Sequence, residues 1–229
     1  MRNLIIIGAG SVGGHIANNL KLYGLEDRLL GFLDDDLKKQ GGYMFGYPVI
    51  GPVSWILDQV DCDVVIGIAF PSIKRKILDL ISVNYSLNYP TLIARDSWIS
   101  NDCTVGKGSI VYPGVCVNYG SVIDEFVVLN MNCAVGHNCT VSSYCSLAPG
   151  VNLGGHTYLE ESVQMGIGAS TVQSSVIGKG AIVGGQAMVI HHVPSEVTVV
   201  GVPAASRRTF ILKPHPDTGE VQLAQAADQ

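Results

Sequence analysis

Ile99-Ser100-Asn101-Asp102-Cys103-Thr104-Val105 opens a stretch that runs to Val189 and decides the fold. Every sixth residue from Ile99 gives Val105, Val111, Val117, Ile123, Leu129, Val135, Val141, Leu147, Leu153, Leu159, Met165, Thr171, Ile177, Val183 and Val189. Only Thr171 is not a large apolar side chain. Two places earlier in each hexad stands a small or β-branched residue, from Ser97 and Cys103 through Cys133, Cys139 and Cys145 to Ala187. A six-residue period fits neither a helix of 3.6 residues per turn nor strand alternation. It predicts a β-solenoid in which each hexad is one side of a coil. The aliphatic residue fills the interior and the small one sits where the wall turns. A single coil is open above and below, so the coils must stack to bury their faces.

Upstream the pattern changes. Leu4 to Ile7 has the composition of a buried strand, and Gly8-Ala9-Gly10-Ser11-Val12-Gly13 follows it. Helical spacing then runs from His15 to Leu22, on Ile16 and Leu20. A glycine-rich turn between strand and helix offers free N–H groups to a phosphate. The same glycines also serve simple close packing of helix on strand. A second strand, Leu29 to Leu33, ends in Asp34-Asp35-Asp36, where a carboxylate meets a ribose in dinucleotide folds. A dinucleotide fold has two such halves. The residues before the solenoid hold only one more long strand (Val64 to Ala69), a helix (Pro71 to Ser82) and a short strand (Thr91 to Ala94). That is one half, suited to a mononucleotide. Gly41 to Gly51 reads as a loop with a short hairpin. The expected division is a Rossmann-like domain at 1–95, the solenoid at 96–208, and a loose polar tail at 209–229.

The chain has 229 residues and a formal net charge of −5. That balance argues against nucleic acid as a partner, since phosphate backbones need a basic face. Mean hydropathy is high at +0.32, yet no apolar run reaches the length of a membrane span. Leu4 to Ile7 is too short for a signal-peptide core, which predicts a cytoplasmic protein. Of six cysteines, Cys103, Cys133, Cys139 and Cys145 take the small slot of the hexad, and Cys62 precedes a core strand. Free cysteine packs as a small hydrophobe. With no CxxC pair, neither a disulfide framework nor a metal site is expected.

Gly8-Ala9-Gly10, Phe32-Leu33-Asp34-Asp35, Asn130 with His137 seven residues on, Gly166-Ile167, Gly184-Gly185 and Gly201-Val202-Pro203-Ala204 together carry a resemblance. Over residues 3–208 the chain resembles the nucleotide-amino-sugar N-acetyltransferases of bacterial glycan pathways, whose relatives include sialic acid O-acetyltransferases. The resemblance implies an α/β Rossmann-like half domain followed by an all-β left-handed parallel β-helix with three hexads per coil. It implies acetyl-CoA as cosubstrate, a homotrimer with the acetyl-CoA cleft between neighbouring helices, and no part for a membrane. His137 matches the general base, Gly155 the oxyanion donor, and Asn130 a position near the acceptor amine. Gly166, Ile167, Gly184 and Gly185 match the coenzyme site. Gly8, Gly10, Asp34, Asp35 and Lys74 match the nucleotide-sugar site. Two positions depart from the family. Asn138 stands where many relatives place an acid beside the histidine, and Ser11-Val12 replaces Gly-His in the glycine turn.

Acetyl transfer needs a base for the amine, donors for the thioester oxygen, and both substrates held in line. An imidazole titrates near neutrality and suits the first task. An amide oxygen such as that of Asn138 can fix the imidazole tautomer. His156 is the rival base, beside Gly155. Outward-facing Tyr112, Val128 and Met131 lack a partner within one prism and are expected to meet a second copy. The expected reaction is acetylation of a nucleotide-linked amino sugar, such as a 4-amino-4,6-dideoxy sugar. The alternatives are sugar O-acetylation of the sialic acid type and a non-catalytic sugar-nucleotide-binding protein.

Overall fold

Five strands build the N-terminal sheet: β1 (Leu4–Ile7), β2 (Leu29–Leu33), β3 (Tyr43–Met44), β4 (Tyr47–Gly51) and β5 (Asp63–Ile66). Their order is β3-β4-β2-β1-β5, parallel except for the β3–β4 hairpin. The computed structural model describes residues 2–206, 210–214 and 221–225. All four residues of β1 are buried, as its run of one leucine and three isoleucines requires of a central parallel strand. Helix α1 (Ser11–Asn18) starts four residues earlier than expected, and a 3-10 turn (Leu20–Tyr23) follows it. Gly13 and Gly14, weak helix formers, hid that start. They are there for contact: a Cβ on Gly13 would lie 2.0 Å from the Gly8 carbonyl, and one on Gly14 would meet the Phe45 ring at 2.4 Å. Helix α2 (Pro71–Ile81) begins on proline, which is preorganised for the first helical position.

The solenoid has three parallel walls. The first holds Leu92–Ile93, Ile110–Val111, Val128–Leu129, Ser146–Leu147, Gln164–Met165, Ile182–Val183 and Thr198–Val200. The second holds Trp98–Ile99, Cys116–Val117, Ala134–Val135, Asn152–Leu153, Ser170–Thr171 and Met188–Val189. The third holds Thr104–Val105, Val122–Ile123, Thr140–Val141, Tyr158–Leu159 and Val176–Ile177. Strands pair with those eighteen residues on, as Val135 with Leu153, until the last pair of the first wall, Ile182 with Thr198, closes after sixteen. The short strand expected at Thr91 to Ala94 is Leu92–Ile93, and it pairs with Ile110–Val111. It is therefore part of the first wall, and the solenoid begins before residue 96. The hexad register runs one unit further back, with Ile93 in the aliphatic slot and Thr91 in the small one.

Two ladders hold the corners. Every sixth residue from Gly108 to Gln186 has a left-handed backbone, including Asn132, Asn138 and His156. Glycine and asparagine tolerate that region best, which accounts for their recurrence here. The small slot carries the second ladder. Ser109 and Ser121 hydroxyls and Cys103, Cys133, Cys139 and Cys145 thiols each donate to the carbonyl fifteen residues ahead, at 2.8 to 3.3 Å. Thr171 is satisfied as well. Its hydroxyl accepts the Gly154 N–H at 3.0 Å and meets the Thr157 hydroxyl at 2.9 Å.

The N-terminal domain packs on the early part of the first wall, whose outward Leu92, Ile110 and Val128 are buried. Tyr112 is buried too, stacked on His15 with ring centroids 4.0 Å apart. Tyr112 and Val128 are thus covered by their own chain rather than left for a second copy. Of the three residues assigned to that role, Met131 alone stays open, at 43% exposure. At the next corner, α2 lays Lys74 against the Phe126 carbonyl and Arg75 over the Tyr144 ring, 4.9 Å from its centroid, with an ion pair to Glu161. Within the tail expected to be loose, residues 210–214 and 221–225 form an antiparallel pair of strands, and the remainder lies outside the described residues. No described helix is long and apolar enough to cross a membrane.

Candidate functional site

His137 stands at the corner between the second and third walls, in the turn Gly136-His137-Asn138. Its Nδ1 lies 3.0 Å from Asn138 Oδ1. With the amide oxygen facing the ring, Nδ1 carries the proton and Nε2 keeps its lone pair. Nε2 lies over Gly155, one coil above: a Cβ there would come within 2.5 Å of it. Glycine at 155 is what lets the imidazole lie along the corner. The His156 ring meets His137 edge-on at 4.9 Å, and the His156 backbone N–H donates to the His137 carbonyl at 2.9 Å. The structure thus brings His137, Asn138, Gly155 and His156 together, as the spacing predicts. Thr171 and Thr157 brace the same corner, since both bond to Gly154.

The other solenoid residues of the expected site lie elsewhere. Asn130, Gly166, Ile167, Gly184 and Gly185 occupy the corner between the first and second walls, across the second wall from His137. Asn130 Oδ1 accepts the Met131 N–H at 2.8 Å. Gly166 lies directly under Gly185, since a Cβ on it would be 2.5 Å from the Gly185 nitrogen. Gly185 is exposed and Ile167 is 62% exposed, so this edge presents bare backbone and one aliphatic side chain. Between the two edges, the outer face of the second wall forms an open trough of about 510 Å³, lined by Trp98, Cys116, Asn118, Asn152 and Met188 among others.

In the N-terminal domain, Gly8 and Asp34 and Asp35 line a cavity of about 170 Å³ with Val53, Ile68, Ile73 and Ile77. Gly8 has φ +101°, which only glycine adopts readily. Gly10 caps α1 with no side-chain bond, and a Cβ on it would meet nothing within 4 Å. That makes it the one glycine of the turn with free space in front of it. Asp34 is fully engaged: Oδ2 accepts the Ala9 N–H at 2.9 Å and the Lys39 ammonium at 2.8 Å, and Oδ1 accepts the Asp36 N–H. Burial works against its charge, but Lys39 and these N–H groups outweigh it and hold the carboxyl below its usual range. Among the described residues Asp35 accepts the Val53 N–H alone, through Oδ1.

Lys74 is a correction. Expected at the nucleotide-sugar site, it is 1% exposed, and its ammonium donates to the Phe126 carbonyl at 2.5 Å. Burial pushes its pKa down to about 8. It fastens α2 to the solenoid and faces no open cleft. Two residues escaped the sequence reading. Lys39 clasps Asp34, within a loop that showed no pattern. Tyr119 stacks on His137, centroids 5.3 Å apart and planes within 12°. The signal for Tyr119 was available: it stands one coil, eighteen residues, before His137.

Residues 3–81 match the family model of the PglD N-terminal domain. No curated protein matches the sequence. Among solved structures, the acetyltransferase domain of PglB from Neisseria gonorrhoeae FA1090 is similar over 90% of this chain and 100% of that one, at 30% identity and a TM-score of 0.83. The same domain has been solved with acetyl coenzyme A. WeeI from Acinetobacter baumannii AYE is similar at 28% identity and a TM-score of 0.82, over 90% of this chain and 100% of that one. PerB from Caulobacter crescentus shares the fold, with 24% identity, a TM-score of 0.82, and coverage of 90% and 98%.

Proposed function

This chain belongs to the PglD-like family of bacterial sugar N-acetyltransferases, and from that premise we propose that it transfers the acetyl group of acetyl-CoA to the amine of a nucleotide-linked amino sugar, such as a 4-amino-4,6-dideoxy sugar, for surface glycan assembly. It is an acyltransferase whose fold is an α/β half domain followed by a left-handed parallel β-helix. The observation that carries the proposal is the His137 corner. An imidazole in the Nδ1–H tautomer presents a bare Nε2 beside the Gly155 backbone. In our reading the sugar amine attacks the thioester carbon while Nε2 takes its proton. The Gly155 N–H meets the oxygen as it becomes an oxyanion. Collapse breaks the C–S bond, and the imidazolium returns its proton to the departing thiolate. No acyl-enzyme forms.

The coenzyme reading rests on the PglB domain solved with acetyl coenzyme A and on the bare edge at Gly166, Gly184 and Gly185, where an extended chain can lie against backbone. The nucleotide reading rests on Gly10, Asp35 and the N-terminus of α1. His137 and the coenzyme edge sit on opposite sides of the second wall, which supports a homotrimer whose sites combine edges from two chains. Six free cysteines accord with a reducing cytoplasm. The test is thiol release from acetyl-CoA with a panel of uridine-, thymidine- and guanosine-linked amino sugars. Turnover is expected with an amino sugar and absent with its hydroxyl analogue. Turnover on sialic acid alone would make the enzyme an O-acetyltransferase, and tight nucleotide binding without thiol release would end the catalytic reading.

A further inference from the structure

A histidine base must be held in one orientation and must carry a positive charge for part of the cycle. A carboxylate next to it would serve both ends, and this chain has Asn138 there. Asn138 is a corner residue with φ +54°, a conformation asparagine accepts, and its side chain also lies over Gly120 of the coil below. Its oxygen fixes the His137 tautomer but brings no charge.

The charge is met from another direction. Tyr119 lays its ring parallel to the His137 imidazole from the coil below, while glycine at 155 leaves the other side open enough for the ring to fit. The aromatic face is electron-rich and attracts a cation held over it. We infer that Tyr119 is a positioning residue for His137, its ring face doing for the imidazolium what a neighbouring acid would otherwise do. The inference rests on the reading of His137 as the base. The other groups facing this corner are few. His156 approaches from the coil above with its ring edge-on to that of His137. Asp102, below, is occupied by the Ser100 hydroxyl and the Gly120 N–H. Tyr119 is 51% exposed, so its replacement leaves the core intact.

The experiment is the pH profile of kcat in the wild type, Tyr119→Phe and Tyr119→Leu, with His137→Ala as reference. Phenylalanine keeps the ring face and should keep the profile. Leucine should move the ionisation down by about 0.4–0.7 pH unit and lower kcat about 2–5-fold, the worth of one exposed cation–π contact. KM for acetyl-CoA should stay the same in both. An unchanged profile in Tyr119→Leu, with turnover lost in His137→Ala, overturns the role of Tyr119 alone. Equal losses in the Phe and Leu variants overturn it too, because the hydroxyl would then matter rather than the face. Undiminished turnover in His137→Ala overturns the base reading and the inference with it.

Discussion

In the small slot of the hexad, cysteine and serine do the same work, and the buried cysteines show it plainly. Cys133, Cys139 and Cys145 donate to corner carbonyls as Ser109 and Ser121 do, and none is accessible. Burial pushes the Cys133 thiol up to about 11 and the Cys145 thiol up to about 12, far from the thiolate that reacts. Cys116 alone is exposed, on the outer face of the second wall. Alkylation of the native protein at neutral pH, followed by peptide mass spectrometry, should therefore mark Cys116 and spare Cys133, Cys139 and Cys145. The Asn138 position gives a second outcome at this scale. A carboxylate stabilises an adjacent imidazolium, so Asn138→Asp should raise the ionisation seen in kcat, and turnover should then climb at a higher pH than in the wild type. An unmoved ionisation would mean that the two side chains do not touch in solution. The site was half legible in the sequence. His137, Asn138 and Gly155 follow from a motif and one coil of spacing, and the same arithmetic run backwards reaches Tyr119. Asp34 carried no mark that its oxygens are spent on Ala9, Asp36 and Lys39, because those bonds depend on where a patternless loop comes to rest.

Elements tell the same story with different grain. The walls were readable because each aliphatic residue answers to one interior, so a single period survives along the whole solenoid. The one exception has its reason in the structure: Thr171 sacrifices an apolar contact to bond Gly154 and Thr157, which shape the turn bearing Gly155 and His156. Thr171→Val keeps the volume and removes those bonds. It should cost about 1 kcal/mol in denaturant unfolding, and a fall in kcat beyond that of a merely destabilised control would tie this interior hydroxyl to the corner outside. The start of α1 was not readable, because the glycines that weaken a helix in isolation are the ones its close seat on β1 demands. The strand at Leu92–Ile93 was assigned to the wrong domain for a related reason. Two residues of strand look the same in either sheet, and only the pairing with Ile110–Val111 separates them.

At the scale of the whole molecule, the joint between the domains includes a group that the resemblance had placed at the nucleotide-sugar site. Lys74 is buried with a pKa lowered to about 8. Its unfolded value is about 10.4, so between those two pH values the unfolded chain holds more protons and stability rises with pH. Below pH 8 both states are charged and the full cost of burial is present. Relative to Lys74→Met, the wild type should gain stability from about pH 8 to 10.4, by at most about 3 kcal/mol; parallel curves for the two proteins would place the ammonium in water. The second large-scale feature is the distance between the two edges of the second wall, with His137 on one and Gly184-Gly185 on the other. It has a genetic consequence. Gly185 is exposed and a Cβ there meets nothing closer than 3.3 Å, so Gly185→Phe should fold while obstructing the proposed coenzyme edge. That variant and His137→Ala should each be inactive alone. If the proposed trimer shares its sites between chains, the two should complement when co-expressed: mixed assemblies would pair an intact base from one chain with an intact edge from its neighbour, and activity would return from two dead alleles.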